Sequence, residues 1–322
     1  MPSRRVEVVH VGSAARDIAA DDPRGWRLGG GVTYAALTTA RLGLRTSAVV
    51  GVDREASTAH ELEAMRDAGV DILTVELPEG PIFHNIETPK GRRQVSMAAG
   101  VAVRPVPLPS AWLGSRSWSL VPVADEVPDD WADVIPSDAI VGVAWQGMLR
   151  RLVAGADVER IAPSDRAILR RADLVGLSHL DVARDTSLGD LMRFLHPGAR
   201  LLVTQGGHGG LLATTGDDEP TEVLRYLPTP TENEVDPTGA GDTFLAALLA
   251  VMVRPSVAGS SRGSLGRALR FAAAAGSLAV EDLGLAGVPD RPAVLGRRTR
   301  ERVRRIAAPS LTDRIGVEDP RQ

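Results

Sequence analysis

The nine residues Asp236-Pro-Thr-Gly-Ala-Gly-Asp-Thr-Phe244 stand immediately before an apolar run, Leu245–Val253. Gly239 and Gly241 permit a tight turn that brings successive N–H groups to face one point. Those groups are also the unpaired donors of a helix start, where the macrodipole favours negative charge. Such a loop is an anion hole, suited to the charge on a transferring phosphoryl group. Asp242, in the first turn beside it, is placed to accept a proton from an attacking hydroxyl or to align that hydroxyl. A loose phosphoryl-transfer transition state needs mostly positioning and charge neutralisation. A lone Gly-x-Gly-Asp would read better as a helix cap whose Asp complements the dipole. The full run favours chemistry.

Other residues could serve the same chemistry. Asp17 follows the first predicted strand, at the edge where α/β sheets hold ligand-binding groups; the competing reading is a solvated loop acid. In Phe83-His-Asn-Ile-Glu87, strand alternation sends Phe83, Asn85 and Glu87 to one face, with Asn85 the candidate for substrate. The polar face of an exposed sheet explains that pattern equally well. Val203-Thr-Gln-Gly-Gly-His-Gly-Gly210 is a glycine turn against which a nucleotide could lie on bare backbone.

The elements that must position these residues alternate. Val6–Val11, Thr46–Val52, Trp118–Val123, Ala139–Ala144, Leu174–Leu177 and Arg200–Thr204 read as strands. Helices are expected at Val32–Leu42, Ala56–Ala68, Ser164–Arg171, Ser187–His196, Ala240–Val253 and Ser264–Glu281. This spacing predicts a three-layer α/β/α fold around a mostly parallel sheet. Between Asp71 and Ala99 the pattern changes to Ile72–Leu77, Ile82–Glu87 and Arg92–Ala98, joined by Pro/Gly turns. That predicts an antiparallel meander projecting as a small lid over 71–99. The last thirty residues hold eight arginines, and 293–322 is expected to be a solvated basic helix and tail.

Composition narrows the function classes. The chain has 322 residues, 43% hydrophobic and 24% charged, enough for one large α/β domain or two modest ones, with a single domain over 1–322 the expectation. It has no cysteine, which excludes disulfides, thiolate-ligated metals and cysteine nucleophiles. A net charge of −4 and 3% aromatic content argue against nucleic-acid partners. No apolar run is long enough to span a bilayer, and the N-terminus is too polar for a signal peptide. A cytoplasmic protein with no membrane partner is expected.

With these residues in view, the sequence resembles the ribokinase-like, PfkB-type carbohydrate kinases, from the first strand to about Pro292. Their C-terminal signature, Asp-Thr-x-Gly-Ala-Gly-Asp, is close to Asp236–Phe244. The resemblance implies Asp242 as catalytic base, Gly239, Ala240 and Gly241 as anion hole, and a small β lid over the substrate. Gly29-Gly30 with Ala40-Arg41-Leu42-Gly43 resembles the N-terminal signature, which implies substrate contacts at Gly29 and Gly30. The family usually has Asn where this chain has Tyr34, so a usual sugar-hydroxyl contact is missing or is replaced by Tyr34 on the substrate side. Asp17 and Glu126 are implied on the substrate side, although Asp125 adjoins Glu126. ATP contacts are implied at Thr204, Gly206 and Gly209. Gln146-Gly-Met-Leu-Arg150 falls where many sugar kinases have Asp-x-Asn-x-Arg, so Arg150 is expected at the ATP phosphates while Met148 removes an Asn. The family's Asn-x-x-Glu appears as Ser178-His-Leu-Asp181, which puts Ser178 near ATP and leaves Asp181 for outer-sphere Mg2+. Ala273 stands where an Asn is common.

The resemblance therefore implies an ATP- and Mg2+-dependent kinase, with room for a monovalent cation, acting on a sugar, a cyclitol such as inositol, or a nucleoside. The alternative is a nucleotide- or sugar-binding regulator on the same fold that has lost catalysis. A homodimer through the lid is among the expected states, with the short Asp17–Gly29 segment predicting a small lid.

Overall fold

The computed structural model describes residues 5–88, 91–217, 219–259, 264–297 and 303–306. The chain enters through β1 (Val8–Ser13), passes directly into β2 (Ala15–Ile18), and returns as β3 (Trp26–Gly29). The helix Gly31–Arg41 leads to β4 (Thr46–Val52), and the helix His60–Asp67 to β5 (Val70–Glu76). The hairpin β6 (Pro81–Thr88) and β7 (Gly91–Ala99) precedes β8 (Ser117–Leu120) and β9 (Ile140–Ala144). Three two-residue strands follow: β10 (Arg150–Arg151), β11 (Ala156–Asp157) and β12 (Glu159–Arg160). Then come β13 (Leu174–Ser178), β14 (Arg200–Thr204), β15 (Gly210–Thr214), β16 (Glu222–Tyr226) and, near the C-terminus, β17 (Arg304–Ile306).

The large sheet has ten strands in the order β17-β16-β15-β14-β13-β9-β8-β1-β4-β5. Its pairings are parallel from β14 to β5 and antiparallel from β14 to β17. Val8 faces one apolar layer and Val9 and Val11 the other; Ala48 and Val50 likewise oppose Val49. This period-two split is why the strands read as nearly continuous apolar runs, since both faces are buried. One layer is built on the helices Gly31–Arg41, Ala240–Val253 and Leu265–Ala279, the other around Trp118, Trp131 and Trp145. The expected α/β/α architecture is what the chain adopts. Among the described residues no helix is long and apolar enough to cross a membrane.

The lid departs from expectation. Its five strands run β11-β7-β6-β2-β3, so it recruits residues on both sides of the 71–99 meander. The first strand of that meander, β5, pairs in parallel with β4 and belongs to the large sheet. It is preceded by the helix His60–Asp67, so it completes a crossover unit despite leading into turn-rich sequence. The short Asp17–Gly29 segment does not make a small lid: Ala15–Ile18 pairs antiparallel with Trp26–Gly29 and adds two strands. Two boundaries also move. Ala56–Ala68 divides into a 3-10 turn at Ala56–Thr58 and the helix proper. In the basic C-terminal segment, Arg291–Arg297 is helical and Arg304–Ile306 pairs with β16 as a sheet edge. The rest of that segment, and the Pro89-Lys90 turn, lie outside the described residues.

Candidate active site

The helix Ala240–Val253 is apolar around its circumference and buried from Thr243 to Leu249, as a central helix should be. Its N-cap is Gly239, at φ 77 and ψ −1, with no side-chain cap. Thr243 N–H bonds back to the Gly239 carbonyl, whereas the amides before it lack intrahelical acceptors by geometry. Asp236 shapes the approach. Its Oδ1 accepts from Thr238 N (3.0 Å) and Thr238 Oγ1 (2.6 Å), and its Oδ2 from Gly284 N (3.1 Å). This aspartate therefore folds the signature loop and ties it to the Gly284 turn.

Asp242 lies at the floor of a cleft of about 900 Å³ between the carboxyl edge of the large sheet and the lid. Burial pushes its carboxyl up to about 6, with Arg150 opposing and Asp181 adding to the shift. Gly31 begins the neighbouring helix beside it, where a Cβ would come within 2.8 Å of Asp242 Oδ1. The third glycine of the N-terminal triplet is thus the one that makes room for Asp242.

On the lid side, Asp17 and Asn85 enter the cleft together. Asn85 Nδ2 donates to Asp17 Oδ1 at 3.3 Å, and Gln94 Nε2 donates to Asn85 Oδ1 at 2.9 Å. Gln94 is the direct register partner of Asn85 across the hairpin. Only that register brings the amide to the site, which is why sequence reading passed it over. Gly30 lines the cleft, while Gly29 does not and instead backs the Asp17 carboxylate.

On the opposite side, Gln146 and Arg150 follow β9, Ser178 ends β13 and Asp181 follows it. Asp181 closes a capping box with Ser178, its Oδ2 accepting from Ser178 N at 2.8 Å. Its Oδ1 accepts from Gln146 Nε2 at 2.9 Å and lies 3.8 Å from Arg150. Burial lowers the Arg150 pKa, with Asp181 and Asp242 opposing. Thr204, Gly206 and Gly209 line the same cleft, together with Ala273, Gly276 and Ser277 from one face of the helix Leu265–Ala279. Gly276 has no side chain to fill the space, and Ala273 very little. That arrangement leaves a slot with small walls beside the glycine turn.

Of the expected substrate residues, Glu126 is placed outside the cleft and Tyr34 at its border. Glu126 is 3% exposed and absent from the cleft lining. Its carboxylate accepts from the backbone N–H groups of Ser13 (3.0 Å), Val123 (3.0 Å) and Ala124 (2.8 Å). It joins the end of β1 to the segment after β8, so the carboxylate is engaged by backbone amides. Burial raises its pKa against the pull of those donors. Tyr34 borders the cleft but is only 2% exposed, its ring lodged under Gly239. Met148 is buried among core side chains and presents nothing to the site.

Residues 144–291 match the pfkB family of carbohydrate kinases. The chain is 27% identical over 239 residues to a cytidine kinase of Thermococcus kodakarensis, covering 69% of this chain and 77% of that one. Among solved structures, Arabidopsis thaliana ribokinase, complexed with ribose and ATP, superposes with a TM-score of 0.66 at 21% identity, over 92% of this chain and all (100%) of that one. A pyrophosphate-dependent kinase of the ribokinase family, complexed with a pyrophosphate analogue and myo-inositol, gives 0.64 at 20% identity, over 89% and 98%. The chain thus carries a PfkB-type carbohydrate kinase match over residues 144–291 on the fold of the ribokinase-family kinases, which together support a divergent kinase of the phosphotransferase class.

Proposed function

We propose that this kinase transfers the γ-phosphoryl group of ATP to a hydroxyl of a small polyol-like acceptor: a sugar, a cyclitol or a nucleoside. The reading is carried by one observation: a half-buried carboxylate, Asp242, stands in the first turn of a helix whose N-cap is a bare glycine, within a cleft shared by sheet and lid. Asp17, Asn85 and Gln94 hold and orient the acceptor hydroxyls from the lid. Asp242 takes the proton of the attacking hydroxyl as its oxygen bonds to the γ-phosphorus. The bond from that phosphorus to the bridging oxygen breaks, and ADP leaves with the electron pair. The amides of Gly239, Ala240 and Gly241 receive the charge on the equatorial oxygens. A carboxyl raised to about 6 is a better proton acceptor than an ordinary aspartate and is still largely ionised at neutral pH.

Among the described residues no group of three or more His, Asp or Glu side chains converges to cage a metal. That suits Mg2+, which is commonly held by phosphates and water with one or two carboxylates. Asp181 is the carboxylate available to it, through water, because its oxygens already accept from Ser178 and Gln146. When bound, the ion would neutralise phosphate charge.

The test is an ATP-consumption screen over sugars, cyclitols and nucleosides, with and without EDTA, using Asp242→Asn as blank. Turnover that needs Mg2+ and vanishes in the variant is expected. Near-normal turnover by Asp242→Asn would remove the catalytic assignment, and a flat screen would favour the regulator.

A further inference from the structure

The two-stranded ribbon β10/β12 places like charges opposite each other on the cleft side. Arg150 and Arg160 are direct antiparallel partners in register, and both line the cleft. The adjacent pair, Arg151 and Glu159, is complementary, joined at 3.1 Å, and lines no part of the cleft. Opposite charges across a strand pair stabilise it and like charges destabilise it. The ribbon therefore follows the usual rule on one face and breaks it on the other. Arg160 is exposed and has no hydrogen-bond or ion-pair partner among the described residues. Its charge adds to the burial that lowers the Arg150 pKa.

The ribbon also stands at a particular place. Asp157 pairs with Val95 of the lid, and Val158 N–H donates to the Gln94 carbonyl at 3.0 Å. Three residues further on, Ile161 N–H donates to the Leu149 carbonyl at 2.9 Å. Arg160 thus lies where the chain crosses from the Asp17–Asn85–Gln94 cluster to Arg150 and Asp181. A guanidinium pair at that crossing, in which Arg150 has Asp181 at 3.8 Å and the Arg160 side chain has no acidic partner among the described residues, matches a phosphate, whose oxygens two planar forks can share.

We infer that Arg160 and Arg150 together grip one phosphate group at the centre of the cleft, making Arg160 a second cationic contact that complements the arginine of the Gln146–Arg150 segment. The inference rests on the kinase reading for its role and names the chemistry of what the site holds. The phosphate belongs either to the donor chain or to an acceptor that already carries one.

The experiment compares wild type, Arg160→Gln, Arg160→Lys and the control Arg151→Gln by calorimetric titration with pyrophosphate and with ATP. Michaelis constants for donor and acceptor are measured alongside, with Tm confirming that each variant is folded. Arg160→Gln should weaken pyrophosphate binding at least tenfold, Arg160→Lys by less, and Arg151→Gln not at all. A matching rise in the donor Michaelis constant alone assigns the phosphate to the donor. A rise confined to phosphorylated acceptors assigns it to the acceptor. Arg160→Gln binding pyrophosphate as wild type does, with neither constant moved, overturns the inference. So does a wild type that binds neither pyrophosphate nor ATP. Wild type that binds pyrophosphate through Arg160 but transfers to no acceptor would leave this contact standing and sink the catalytic reading instead.

Discussion

The ring of Tyr34 lies directly beneath Gly239: a Cβ at 239 would fall onto the Tyr34 Cγ, Cδ1 and Cε1 atoms. The two residues are far apart in sequence, one from each signature, and the contact makes the first helix a support for the anion-hole loop. Tyr34 borders the cleft and also packs against the loop at Gly239, so its ring supports the loop's shape.

Gly239→Ala should accordingly fail twice. The left-handed backbone costs an alanine about 1–2 kcal/mol, and the ring leaves the methyl no room. Loss of one aligned amide should lower kcat by about 10²–10³-fold. Tyr34→Ala should cost about 3–5 kcal/mol, as for other large aromatic truncations, and lower kcat while the acceptor Michaelis constant stays within about twofold. Chemical denaturation and steady-state kinetics check both. A Tyr34→Ala effect confined to the acceptor Michaelis constant would return Tyr34 to substrate binding.

Asp242 carries a pH signature with a definite sign. Its folded-state pKa of about 6 lies above the ordinary 3.8, so the ionised form is disfavoured by folding. The protein gives up stability as pH rises from about 4 through about 6. Asp242→Asn should therefore raise Tm at pH 8 and lose that advantage below about pH 4, while activity is abolished. In wild type, kcat/KM should fall as pH drops through about 6. A kcat/KM profile flat from pH 5 to 8 would argue against Asp242 as base.

The lid cluster should separate acceptor from donor. Asp17→Asn removes a charge-assisted acceptor, and Asn85→Ala breaks the relay from Gln94 to Asp17. Each should raise the acceptor Michaelis constant about tenfold or more, on the scale of a hydrogen bond to a charged group. The ATP Michaelis constant should stay unchanged. Equal effects on both constants would point to a disordered lid instead.

Glu126 should behave as a strut. Glu126→Gln swaps one accepting oxygen for a donor facing the amides of Ser13, Val123 and Ala124. A loss of roughly 1–3 kcal/mol is expected in denaturant unfolding, with the acceptor Michaelis constant little changed. Preserved stability combined with a lost acceptor affinity would reverse this assignment.

Glu281 ties the loop entering the signature to the last described helix. Its carboxylate accepts from Arg297 (2.6 Å), Thr231 Oγ1 (3.0 Å) and Glu232 N (2.7 Å). The Arg297 hydrogen bond leads in holding its pKa down to about 2. A depressed carboxylate stabilises above its ordinary pKa of 4.5, and the gain fades as pH falls from there to about 2. Glu281→Gln should lower Tm at pH 7 and matter progressively less below pH 4.5. A Tm difference that persists undiminished at pH 2 would show that the charge is not the cause.

Much of the site was legible because its chemistry is local. The run Asp236–Phe244 contains its own turn glycines, its candidate base and the first turn of the helix that follows, so nine consecutive residues describe the local geometry and suggest its role. The strand–helix alternation implied a parallel sheet, and with it a site at the carboxyl strand ends, where Asp17, Gln146, Ser178 and Thr204 are found. What was not legible depended on pairing between distant segments. The assignment of Val70–Glu76 to the large sheet, of Ala15–Gly29 to the lid and of Arg304–Ile306 to a sheet edge is a matter of strand partners, on which apolar alternation is silent.

The same division runs through individual side chains. By itself the sequence determined the layered α/β fold, and it singled out Asp236–Phe244, with Asp242, as the candidate phosphoryl-transfer loop. Only the tertiary structure decided that Glu126 is spent on backbone amides, that Tyr34 supports Gly239, that Gln94 reaches Asn85, and that Arg160 faces Arg150. The physical reason is that residue type tells what a group can do. Whether it does so depends on which donors, charges and ring faces burial brings within about 3–4 Å of it, and the chain sets those distances only when it closes.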